Sequence, residues 1–69
     1  MFTQIGTMFV YNEFVYLVLG SVVDHKGLLW IWCSNLSHNG LESQFDNRIL
    51  EQYVKTGRVE IMRNLSHYR

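Results

Sequence analysis

Apolar and polar positions alternate along this chain in short runs separated by glycine and asparagine, the period of two that belongs to strands. The runs are rich in Val, Ile, Leu, Tyr, Phe and Trp, residues that suit a pleated, half-buried surface. This predicts a first strand over Thr7–Tyr11, closed by Asn12-Glu13, and a second over Phe14–Val23. Asp24-His25-Lys26-Gly27 reads as a four-residue hairpin loop whose last residue supplies a positive φ. A third strand, residues 28–34 or a little more, follows. Asn39-Gly40 is the strongest short-range hairpin signal in the chain, because a type I′ turn needs positive φ at both central positions. It should lead into a fourth strand over 41–45.

The period then changes. Ile49, Leu50, Tyr53 and Val54 fall on one face of a helix, opposite Arg48, Glu51, Gln52 and Lys55. A helix is expected over 46–56, with Asp46 or Ser43 as its N-cap and Gly57 where a left-handed C-terminal cap belongs. Val59 and Ile61 alternate again and predict a fifth strand over 58–62, after which 64–69 should form a basic tail. The second strand is apolar on both faces, with Val15, Leu17, Leu19 and Val23 on one and Phe14, Tyr16, Val18 and Val22 on the other. One face should fill a core, and the other needs cover from the helix, the tail or another molecule. Gly20, inside this strand, is expected to be the kink that lets the sheet curl. The expected fold is mainly β with one short α-helix: a small five-stranded antiparallel sheet, bent into an SH3-like, partly open barrel, with 1–63 as a single domain.

Length makes that core a small one. A chain of 69 residues buries only about 60% of the surface it exposes when unfolded. Yet 48% of the residues are hydrophobic, and four Phe, four Tyr and two Trp make the chain too apolar for disorder. The one cysteine, Cys33, allows no internal disulfide, which fits a reducing cytoplasm. The start of the chain does not read as a signal peptide, and the apolar run over 14–23 is about half the ~20 residues of a membrane span, so neither is expected.

Formal net charge is zero, which removes the simplest argument for nucleic acid. The charge is nonetheless polarised. Residues 1–54 hold Glu13, Asp24, Glu42, Asp46 and Glu51 against Lys26 and Arg48, a balance of −3, and 55–69 hold Lys55, Arg58, Arg63 and Arg69 against Glu60, a balance of +3. Such a surface can steer a charged partner.

Catalytic constellations are thin. Cys33 with His25, His38 or His67 would be the sole nucleophile and base pair, but it sits in an apolar strand beside Trp32, where cysteine is usually a small core residue. No close paired spacing of metal ligands and no glycine-rich phosphate loop is present, so no catalytic residue, metal or cofactor is expected. The carboxylates are scattered and expected to be solvated. Aromatic content stands above this background, since a core of this size cannot easily hide so many rings. Trp30 and Trp32 point the same way along the third strand, with Tyr16 a candidate neighbour across the Asp24 to Gly27 hairpin. If exposed, they could anchor a protein interface or stack bases. The candidate protein-binding residues are Tyr11, Phe14, Tyr16, Trp30 and Trp32; the nucleic-acid alternative rests on Lys55, Arg58, Arg63 and Arg69.

The layout Gly6-x-x-Phe9-x-Tyr11, then Tyr16-x-Val18, a tryptophan strand, an acid-capped helix ending in Gly57 and a last Arg58-Val-Glu-Ile61 strand resembles small orphan accessory proteins of bacteriophages and mobile elements. The resemblance spans residues 6–62 and carries no catalytic residue. It implies a small accessory protein that binds and alters a host protein, for instance of transcription, proteolysis or defence, in the host cytoplasm. The surplus apolar face of the second strand and the absence of catalytic groups point to a non-enzymatic protein-binding module, monomer or homodimer, that inhibits or redirects a larger partner. Nucleic-acid binding and a purely structural subunit are the alternatives.

Overall fold

The structure, a computed structural model, describes residues 1–64. The elements are β1 (Thr7–Tyr11), β2 (Phe14–Val23), β3 (Leu29–Asn35), β4 (Leu41–Asp46), α1 (Asn47–Lys55) and β5 (Val59–Asn64). All strand pairs are antiparallel and form one sheet in the order β4-β3-β2-β1-β5. The fold is therefore mainly β with one short helix, as the alternation predicts. Four strands run as a meander, and α1 carries the chain from the β4 edge to the opposite edge, where β5 pairs with β1. The helix packs against β3, β4 and β5, so it covers one side of the sheet between its two edges. No helix among the described residues is long and apolar enough to cross a membrane. The expected tail lies outside the described residues except for Asn64, which ends β5.

Local chemistry accounts for the turns. Asn12 and Glu13 have φ of 53° and 71° and join β1 to β2 in two residues, with Tyr11 opposite Phe14. Asn39 and Gly40 have φ of 57° and 74°, and the Leu41 N–H donates to the His38 carbonyl at 3.1 Å, the expected turn. That turn does not span the whole connection. His38 and Gly40 both donate N–H to the Asn35 carbonyl, at 3.1 and 2.9 Å, so a preceding turn lengthens the loop to residues 36–40.

Asp46 caps α1 by accepting the Arg48 N–H at 2.8 Å. At the other end Gly57, at φ 80°, donates to the Val54 carbonyl, and Arg58 N–H donates to that of Tyr53 at 2.8 Å. These two bonds form a Schellman cap. Leu50 is buried and Tyr53 and Val54 are half-buried, but Ile49 is exposed, so the inward stripe is narrower than the periodicity implied.

Two bulges bend the sheet: one in β2 between Val18 and Gly20, one in the β1–β5 ladder beside Met62. The first corrects the expected division of β2 into faces. One extra residue reverses the alternation. Tyr16 and Val18 face the core opposite Asn35 and Cys33, whereas Val22, expected on their face, lies opposite Trp30 on the outer side. The bulge residue is Leu19; Gly20 has no positive φ, and a Cβ built on it meets nothing within 4 Å, so a backbone requirement does not explain this glycine.

The inner face holds a continuous network of rings. Phe9 meets Phe2 edge-on at 5.2 Å, stacks on Tyr16 at 5.3 Å and approaches Phe45, which also contacts Tyr16 and Tyr11. Tyr11 stacks on Tyr53 of the helix, and Phe14 meets Tyr16 edge-on. Val18, Ile31, Cys33, Leu50 and Val59 complete this core. Phe2, in a segment with no predicted structure, is fully buried, and the Gly6 N–H donates to the Val18 carbonyl, so an exposed turn over residues 3–5 brings Phe2 back onto the core before β1 begins.

Candidate functional site

With the other described rings joined on the inner face, Trp30 and Trp32 stand apart. Their neighbours Ile31 and Cys33 are fully buried, so strand alternation turns both indoles outward. Trp32 is 45% exposed and Trp30 is half-buried. Register sets Trp30 between Val22 and Asp46, and Trp32 between Gly20 and Gln44. Leu17, on the same side, lies opposite Ser34 and is half-buried, while Val22 is exposed.

A carboxylate holds each indole. Trp32 Nε1–H donates to Glu42 Oε1 at 2.9 Å, across β3 and β4. Trp30 Nε1–H donates to Asp24 Oδ2 at 2.9 Å. The other oxygen of Asp24 accepts the N–H groups of Lys26 and Leu28, at 2.8 and 3.0 Å, and Gly27 at φ 82° closes the loop. These bonds, that from Trp30 foremost, hold the Asp24 carboxyl below its usual range. Asp24 thus shapes the hairpin and fixes a ring of the surface. Asp46 is the N-cap that the sequence offers, while Asp24 and Glu42, expected only as solvated carboxylates, each accept an indole N–H in addition. The readable signal was an Asp-x-x-Gly turn with a tryptophan three residues beyond its glycine.

The predicted site residues divide between the two faces. Trp30 and Trp32 share the outer face. Tyr16 does not join them: its partner across β3 is Asn35, its ring is buried on Phe9, and desolvation, with smaller contributions from Cys33 and Tyr11, raises its hydroxyl pKa. Tyr11 belongs to the inner network against Phe45 and Tyr53, and Phe14, 37% exposed, lies at its rim. The grouping of Tyr11, Phe14 and Tyr16 with the tryptophans is replaced by an inner aromatic core and an outer indole pair. The bulge at Leu19 is the physical reason, because it shifts the register between Tyr16 and the hairpin.

The basic residues are not gathered among the described positions. Lys55 is exposed in the last turn of α1, and the Arg58 guanidinium lies 5.3 Å from the centre of the Tyr53 ring. Arg63 is paired with Met8 at the far end of β5, about 16 Å along the strand from Arg58 at ~3.3 Å per residue. Arg69 and His67 lie outside the described residues. Cys33 is fully buried, and desolvation pushes its thiol up to about 12, so it stays protonated at neutral pH. His25 and His38 sit in two different hairpin loops, both exposed. No pocket opens on the described surface.

These features define a small, mainly β protein with an aromatic and acidic outer sheet face. No protein family model, no curated protein and no solved structure matches the chain.

Proposed function

We propose that this chain is a non-enzymatic protein-binding module whose outer sheet face, centred on Trp30 and Trp32, docks on a larger protein and inhibits or redirects it. The observation that carries this reading is the separation of the rings: six pack together inside with Phe14 at their rim, while the two indoles stand on the other face, each held by a carboxylate. Exposed tryptophans already held in one conformation lose little freedom on binding, which is why such residues anchor interfaces. The buried, protonated Cys33 thiol speaks against the one nucleophile and base pair that the sequence offers. The sheet, bent by two bulges and covered by α1, suits a small, partly open barrel of SH3-like kind.

The resemblance to phage and mobile-element accessory proteins suggests a host protein, in the host cytoplasm, as the target. Base stacking on the same rings is the weaker reading, because Asp24 and Glu42 at the ring edges repel phosphate. The test is capture from a lysate of the cells that produce the protein, with native and Trp32→Ala chains as matched baits. A protein retained in stoichiometric amount by the native chain and lost from the variant supports the reading. Equal retention by both, or none by either, sinks it.

A further inference from the structure

Resting on the reading of the indole face as a docking surface, we propose that this face receives an arginine side chain from a basic segment of the partner protein. The hydrogen-bonding edge of each indole is already occupied, Trp30 by Asp24 and Trp32 by Glu42. What the rings still offer a partner is their faces, which carry the negative end of the ring quadrupole and attract cations. A carboxylate accepting the indole N–H polarises the ring in the direction that favours a cation.

Charge around the pair points the same way. Asp46, opposite Trp30, is paired with Arg48 at 3.1 Å, and Asp24 and Glu42 touch the ring edges themselves, so the charge in direct contact with the two indoles is negative. Space is available too. Gly20 lies directly opposite Trp32, and a Cβ there would meet nothing within 4 Å, so the surface beside this ring is open. Arginine suits the place better than lysine, since a planar guanidinium can lie flat on an indole while its fork reaches a carboxylate. The chain uses the same pairing internally, where Arg58 lies over Tyr53.

The experiment titrates the full chain with an amide-capped peptide of alternating arginine and glycine, and with its citrulline counterpart, which keeps the shape and removes the charge. Indole fluorescence and calorimetry report binding. The arginine peptide is expected to bind at least about tenfold more tightly than the citrulline peptide, with affinity falling as salt rises. Glu42→Gln keeps an acceptor for the indole N–H and removes the charge, so a severalfold loss in that variant reports electrostatics rather than a displaced ring. Gly20→Leu, which fills the open space beside Trp32, should block binding while thermal melting shows the fold intact. Equal affinity for both peptides, abolished by Trp32→Ala, would overturn the arginine and leave the docking face standing. Binding of neither peptide would overturn the inference, with the matched-bait capture still deciding the docking face separately. So would an oligonucleotide that, titrated alone, binds the chain through Trp32 more tightly than the arginine peptide does, or a dimer that buries Trp32 before any peptide is added.

Discussion

Glu13 occupies the left-handed region at φ 71° in a turn whose second central position glycine fills best. A side chain there costs about 1 kcal/mol relative to glycine. Glu13→Gly is therefore expected to stabilise the protein by about 0.5–1 kcal/mol, less whatever the more flexible unfolded chain takes back. Urea denaturation would show this as a higher midpoint at unchanged slope. The two aspartates with lowered pKa act in the opposite sense on acidification. Hydrogen bonds from Trp30 and Leu28 lower Asp24, and Arg48 lowers Asp46. A carboxyl whose folded pKa lies below its unfolded value stabilises the fold above the unfolded carboxylate range, and that contribution is lost as pH falls through the folded pKa. The melting temperature should accordingly drop from about pH 4 downward. The drop should be shallower in Asp24→Asn; identical acid profiles for the two proteins would remove Asp24 from the account.

At the scale of elements, α1 has only nine residues, too few to persist alone, so its caps and its contact with the sheet hold it. Gly57 permits the two capping bonds to Val54 and Tyr53, and a side chain at φ 80° is strained although the space around it is open. Gly57→Ala should cost about 1 kcal/mol, read from the denaturation midpoint. Gly20→Ala, which meets no such strain, should stay within about 0.5 kcal/mol of the native protein and serves as the control. The elements themselves were largely legible. The strand limits Thr7–Tyr11 and Phe14–Val23, the Asp46 cap and the Gly57 cap agree with the pattern, because each depends on residues adjacent in sequence. Ile49 was misread as inward because periodicity records which residues share a stripe and not how wide a strip of the sheet the helix covers.

For the whole molecule, the decisive residue is one that no local pattern marks. Phe2 is fully buried against Phe9. Truncating a buried phenylalanine costs about 3–5 kcal/mol. A single core in a domain this small rarely supplies more than about 3–5 kcal/mol of stability in total. Phe2→Ala should leave much of the population unfolded at room temperature, seen as loss of the near-ultraviolet circular dichroism of the packed rings. A variant that melts as the native protein does would mean that residues 1–6 contribute nothing to the core.

Local interactions determined what the sequence alone could say: strands from alternation, turns from Asn and Gly at positive φ, a helix from its period and caps. Each is governed by sterics and hydrogen bonds within a few residues, and these are written in the residue types themselves. Which face of β2 is the core, that Tyr16 goes inside while Trp30 and Trp32 stay outside, and that Asp24 and Glu42 hold the indoles were decided by tertiary structure alone. The bulge at Leu19 is the reason. A single extra residue reverses every side chain beyond it, and what selects its position is the joint packing of rings brought together from Phe2 to Tyr53.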